Sequence, residues 1–159
     1  MEPATYDPVV GTLESLPSII VPLAREMPEE LRKRRPRTGK WSAHENACHL
    51  ASLHPLFFER LELMLEKKHP VLRPYQPDQD DQEGALLQVD LDEALERFTR
   101  ERADLVGRFR SLNPEDWDRT AEHGEYAHYS IFILARHVAM HDMLHAYRIE
   151  ELLLQKDWE

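Results

Sequence analysis

The stretch ARHVAMHDMLHAYRI (residues 135–149) carries His141 and His145 four residues apart, and GKWSAHENACHL (residues 39–50) brings a third histidine, His49. A separation of four stacks two side chains on one face of a helix, where their ring nitrogens can converge on a common point. A catalytic zinc-type site takes three protein ligands and keeps a fourth position for water or substrate. His49, His141 and His145 therefore read together as a complete, open ligand set for one divalent ion. Nine histidines in 159 residues are enough for such a pair to arise by chance, as ordinary surface or core histidines. Two features weigh against chance. The pair is surrounded by Ile131, Phe132, Ile133, Leu134, Val138, Leu144, Ile149, Leu152 and Leu153, so its helix is packed, and unpaired imidazoles facing a core are costly. The second feature is the local setting of His49.

Ser42 is a good helix N-cap, and Glu45, three residues later, can reach back to complete a capping box. His49 falls one turn beyond Glu45. The pattern Leu50, Leu53, Leu56, Phe57, Leu61 and Met64 predicts one helix over about residues 42–67, with Pro55 bending its interior. Trp41-Ser42-x-x-Glu45 at a helix start, His49 one turn later, and a C-terminal His141-x-x-x-His145 followed by Arg148 and Ile149 resemble the motif of the DinB/YfiT-like superfamily, in order and spacing, over nearly the whole chain. That resemblance implies an all-α fold, a four-helix bundle with long crossover loops. It also implies that His49, His141 and His145 bind a divalent metal ion, commonly zinc or nickel, at one end of a cleft. Members of the family include thiol-S-transferases using bacillithiol or mycothiol, a maleylpyruvate isomerase and the iron-binding domain of an ergothioneine-pathway enzyme. The resemblance therefore speaks to fold and ligands far more than to substrate, because a fold does not confer a reaction. Related bundles often dimerise, which makes a homodimer an expectation.

A chain of 159 residues with 42% hydrophobic content is expected to form one domain, spanning residues 1–159, with a real core. Five glycines and 31% charged residues suit helices better than sheets. The net charge of −10 argues against nucleic acid as a partner, since phosphate binding relies on Lys and Arg. One basic cluster, Arg32, Lys33, Arg34, Arg35, Arg37 and Lys40, reads as a solvated connector, with a dock for an anionic substrate as the alternative. MEPATYDPVV offers no basic n-region followed by an apolar h-region, and no apolar run approaches membrane length. A single cysteine, Cys48, excludes an internal disulfide. These features lead to the expectation of a cytoplasmic protein with no membrane contact. Cys48 adjoins His49, but consecutive helix positions point about a hundred degrees apart, so it reads as a small core residue.

Four helices are predicted: near Asp7 to Met27 with Pro17 and Pro22 making it irregular, Ser42 to Lys67, from Asp90 or Asp92 to a stop at Asn113-Pro114, and Ser130 to about Gln155. HPVLRPYQPDQDDQEGA is a long crossover of the kind that often serves a cleft, and PEDWDRTAEHGEYAHYS is a second irregular connector. Asp142 and Glu45 are the candidates to hold a ring N–H of a ligand histidine, with Glu45 favoured for capping instead. His137, one turn before His141, could be a fourth ligand, a proton shuttle or a packed polar residue. His44, His54, His69, His123 and His128 read as surface or loop histidines. With no serine elbow, phosphate-cradling loop or cofactor fingerprint, the metal is the strong chemical candidate. The expected chemistry is that of a transferase or hydrolase in which a small-molecule thiol or water is activated against an electrophilic substrate. The competing class is a non-enzymatic metal-binding or stress-response module that associates with itself or a partner.

Overall fold

The computed structural model describes residues 1–36, 39–75 and 84–156. Its helices are α1 (Pro3–Glu26), the single turn α2 (Glu29–Arg32), α3 (Ala43–Ser52), α4 (His54–Glu66), α5 (Leu91–Arg110) and α6 (Ile131–Leu153). α1 and α3 each pack on both α5 and α6, and α4 extends the α3 arm along the same partners, so the chain makes the expected four-helix bundle. The apolar stripe of α1 that enters the core is Val10, Leu13, Leu16, Ile20 and Ala24, the spacing of one helical face. Despite Pro8, Pro17 and Pro22, α1 stays continuous. Pro8 and Pro22 stand on its exposed side, where the carbonyls they leave unpaired can be hydrated.

The predicted helix over residues 42–67 is two helices, and Pro55 does not bend an interior. The break falls at Leu53, whose N–H closes the last turn of α3 on the His49 carbonyl. Pro55 then sits in the first turn of α4, where a missing N–H costs nothing because those donors have no intrahelical partner. At the other end of α4, Arg119 donates to the Met64 and Leu65 carbonyls at 2.7 and 2.6 Å, satisfying groups the helix leaves open. α5 begins on Asp90, whose side chain accepts from the Glu93 N–H, and α6 begins on Ser130, which accepts from Ile133.

The connectors carry structure of their own. After α5, a 3₁₀ turn (Asp116–Asp118) and a two-residue antiparallel pair, β1 (Thr120–Ala121) with β2 (Tyr129–Ser130), lead into α6. The 3₁₀ turn buries Trp117 completely, stacked on Tyr6 at 4.3 Å and on Phe109 at 5.6 Å between ring centroids. The long crossover is stitched to this connector, since Leu72 N–H donates to the Glu122 carbonyl and Glu122 N–H to that of Pro70. Its acidic run, Asp78, Asp80 and Asp81, lies outside the described residues. The crossover re-enters through Gly84, whose φ of 78° suits a residue without a Cβ, and a 3₁₀ turn (Ala85–Gln88). His44 holds that turn: its Nε2 meets the carbonyls of Leu86 and Val89 at 3.1 and 3.0 Å. His44 is thus a buried structural residue and not the surface histidine expected from sequence. No helix among the described residues is long and apolar enough to cross a membrane.

The capping box at α3 forms in full: Ser42 Oγ accepts from the Glu45 N–H at 3.2 Å, and Glu45 Oε2 accepts from the Ser42 N–H at 2.9 Å. Ser42→Ala is expected to cost about 0.5–2 kcal/mol of folding stability while leaving metal stoichiometry unchanged, as read by denaturant unfolding and elemental analysis. Loss of metal at unaltered stability would place Ser42 in the site instead of the cap.

Candidate metal centre

α3 and α6 run side by side, and their facing turns bring His49, His141 and His145 together. One ring nitrogen from each lies within 4.8 Å of the other two. The i,i+4 pair stacks as its spacing requires, with ring centroids 4.6 Å apart, and His49 reaches across from α3 to within 5.2 Å of His141 and 4.7 Å of His145. The Nε2 atoms of His49 and His141 are 3.2 Å apart. Two nitrogens each bound about 2.0–2.1 Å from one tetrahedral ion stand roughly 3.3 Å from one another, so this pair is already at the spacing a divalent ion imposes. The donor set fits such an ion.

Each ring of the i,i+4 pair is held by its other nitrogen. Asn46, one turn before His49 on α3, donates its Nδ2 to the Ser42 carbonyl at 2.8 Å, which leaves Oδ1 as the acceptor facing His145 Nδ1 at 2.8 Å. His145 therefore carries its proton on Nδ1 and presents a bare Nε2. His141 Nδ1 lies 3.3 Å from Asp142 Oδ1, which orients it in the same sense. Electrostatics also favours neutral rings. Burial, with the neighbouring His141 and His49, pushes the His145 pKa down to about 2. Burial likewise lowers that of His141, against the opposing pull of Asp142. A ligand imidazole must bind unprotonated, and these two are in that form at neutral pH.

Aromatic side chains wall the cluster. Trp41 packs on His49 at 4.6 Å and on His145 at 5.9 Å, Phe57 meets His141 edge-on at 5.4 Å, and Tyr75 approaches His49 at 6.3 Å. Trp41, which sequence reasoning treats as part of a helix start, is therefore also the lid over two rings. Its position immediately before the cap is the signal that could have shown this. His141 keeps 14% of its side chain exposed, which leaves the cluster reachable from one side. That side opens on a groove of 820 Å³ lined by His141, His137, Tyr126, Met140, Leu144 and Tyr147 among others.

Glu45 is committed to structure: burial pushes its carboxyl up, but hydrogen bonds from Arg35 and Ser42 outweigh this and hold it below the ordinary value. Asp142 is completely buried and makes an ion pair with Arg102, itself 1% exposed. His137 turns toward Tyr126 and Tyr129. His54 is half-buried instead of surface-exposed, with its pKa lowered by burial to about 4. His123 stacks on Tyr129 at 4.6 Å and His128 is exposed. Cys48 is the core residue expected, its thiol pushed up to about 12 by burial, so no thiolate is available from it at neutral pH. Of the basic cluster, Arg32 caps carbonyls of Met27 and Arg25 and Arg35 pairs with Glu45. Arg37 lies outside the described residues.

The sequence profile of the DinB superfamily matches residues 12–149. The chain is 27% identical over 152 residues to a protein of Oceanobacillus iheyensis named as a candidate metal-dependent hydrolase, covering 94% of this chain and 86% of that one. It is 22% identical over 153 residues to a Bacillus cereus protein of the same description, covering 96% and 87%. Among solved structures, YfiT from Bacillus subtilis, described as a candidate metal-dependent hydrolase with an unusual four-helix bundle topology, superposes with a TM-score of 0.86 at 20% identity, covering 96% of this chain and 87% of that one.

Proposed function

The chain belongs to the DinB superfamily, and from that premise we propose that it is a metal-dependent enzyme in which His49, His141 and His145 hold one divalent ion, zinc or nickel. The observation that carries this reading is the convergence of three imidazole nitrogens within 4.8 Å. Three protein ligands leave a tetrahedral ion one open position. When bound, such an ion supplies Lewis acidity that yields a nucleophile from water or a thiol at neutral pH. The chain's own groups prepare the place. Asn46 and Asp142 hold the Nδ1 protons of His145 and His141 away from the centre, Trp41 shields two rings from water, and the partly exposed edge of His141 admits the reactants.

Between the two reactions open to such a site, transfer of a small-molecule thiol to an electrophilic substrate is favoured over hydrolysis by one feature. Among the described residues, the two carboxylates next to the cluster are both occupied, Glu45 by Arg35 and Ser42 and Asp142 by Arg102 and His141. Neither is free to assist water, which a bound ion leaves only about half ionised at neutral pH, whereas a thiol bound to the ion would be deprotonated outright. Cobalt-substituted protein titrated with bacillithiol, mycothiol, glutathione and coenzyme A is expected to develop a sulfur-to-cobalt charge-transfer band with one of them. Proton release should accompany the band, because the thiol binds deprotonated. If every thiol leaves the spectrum unchanged while the ion retains an exchangeable water, the thiol reading falls. Hydrolysis, the reaction named for the relatives, then takes its place, and a cobalt protein inert to both thiols and hydrolysable esters is a binding module.

A further inference from the structure

Behind His141, on the side away from the ring cluster, two opposite charges are buried together. Asp142 is 0% exposed and Arg102, from the middle of α5, is 1% exposed. Arg102 Nη2 donates to Asp142 Oδ1 at 3.1 Å, and its Nε stands 2.8 Å from Oδ2 as an ion-pair contact, so one hydrogen bond and close opposite charge tie the two side chains together. The guanidinium is fixed in turn by the ring of the buried Phe98, whose centroid is 5.1 Å from Arg102 Cζ. The same Oδ1 that accepts from Arg102 lies 3.3 Å from His141 Nδ1.

This pair is a poor device for stability. Taking two charges out of water is costly, and buried ion pairs can often be replaced by well-packed apolar residues without loss. Arg102 Nε and Nη1 and Asp142 Oδ2 also have no hydrogen-bond partner among the described residues, so the pair does not even satisfy all its donors and acceptors. What the pair does supply is a buried carboxylate anchored by a guanidinium, with one oxygen facing one nitrogen of one imidazole. His145 is oriented by a neutral amide, that of Asn46. His141 receives a negative charge instead, next to where the ligands would meet a doubly charged ion.

We propose that Arg102 and Asp142 are positioning residues for the metal centre: Arg102 locks the Asp142 carboxylate, which fixes His141 with its proton on Nδ1 and raises the donor strength of Nε2. This rests on the metal reading given above and adds to it a role for Arg102, on a helix that contributes no ligand, and a charge effect of Asp142 on the donor strength of His141. Partners of this kind typically change metal affinity by about 10–100-fold.

The test compares wild type, Asp142→Asn and the double variant Arg102→Met/Asp142→Leu by competition of zinc against a chelator, with circular dichroism as the check on folding. The double variant removes both charges, so no lone charge is left buried to unfold it. The double variant is expected to stay helical and Asp142→Asn to lose stability through the charge left buried on Arg102; both, below their unfolding transitions, should bind zinc about 10–100-fold more weakly than wild type, and their cobalt forms should show a visible absorption envelope altered from the wild-type one. Folded variants with wild-type affinity and spectrum overturn the proposal, because a merely structural pair leaves both unmoved. A readout on the unaltered, metal-free protein needs no variant: nitrogen-15 chemical shifts should identify His141 as the Nδ1–H tautomer, and the Nε2–H tautomer there overturns it. Wild type that takes up no zinc at all is a different failure, which removes the metal reading itself.

Discussion

His145→Ala is expected to weaken divalent metal binding by at least about a hundredfold. Structural zinc sites gain about 10–16 kcal/mol from roughly four ligands, on the order of 3 kcal/mol for each, and about 1.4 kcal/mol is a factor of ten. His145 should contribute in full. It is 4% exposed, its Nδ1 is engaged by Asn46, and burial holds its pKa near 2, so at neutral pH there is little orientational freedom to lose and no proton to displace. His137→Ala is the matched control, one turn earlier than His141 on α6 and packed edge-on against Tyr126 and Tyr129. It should leave affinity within a few fold. The measurement is chelator competition on both variants alongside wild type, which should carry one ion per chain. Equal losses from the two substitutions would mean that the ligand set has been misassigned, and an undiminished His145→Ala would remove the three-imidazole centre altogether.

The largest expected effect on folding lies at the other end of the bundle. Trp117→Ala should destabilise the protein by about 3–5 kcal/mol, the usual cost of truncating a large buried aromatic. Trp117 is 0% exposed and stacks on both Tyr6 and Phe109, joining the start of α1 to the end of α5. For a chain of this length about 1 kcal/mol corresponds to roughly 2–4 °C, so the melting temperature should drop by on the order of 10 °C. His145 lies fourteen positions beyond Ile131, where α6 leaves this connector, about 20 Å along a helix at 1.5 Å per residue. Metal stoichiometry below the transition should therefore be unchanged. A loss under about 1 kcal/mol would show that neighbouring side chains collapse into the space, contrary to the tight packing between three elements.

What could be read from the sequence was what is local. The Ser42–Glu45 box depends on residues three apart, and the His141–His145 pair on residues four apart; both appear as expected. The four-helix bundle was legible from apolar periodicity together with the resemblance. The misreadings share a cause, which is that the partner is distant in sequence. His44 looked like a surface residue because the carbonyls it serves are 42 and 45 residues away. Arg102 has no local signal of its role either, since only the fold brings Asp142, 40 residues on, into its reach. Pro55 was given its helix-breaking effect but not its place. A proline tolerated in a first turn and a proline bending an interior have the same local sequence, and the difference is decided by how α3 and α4 each pack.

The setting of α3 has a further consequence, for motion. Every residue from Ala43 to Ala51 is buried, so this short helix has no solvent-facing side from which to fray. Amide groups in so enclosed a segment exchange with solvent mainly through openings close in free energy to global unfolding. Two of the residues that shape the metal centre, Asn46 and His49, thus sit in what should be among the last parts of the molecule to open. An ion would have to enter and leave by way of the exposed edge of His141 on the neighbouring helix, through side-chain movement on a fast timescale, while the backbone that carries His49 stays shut.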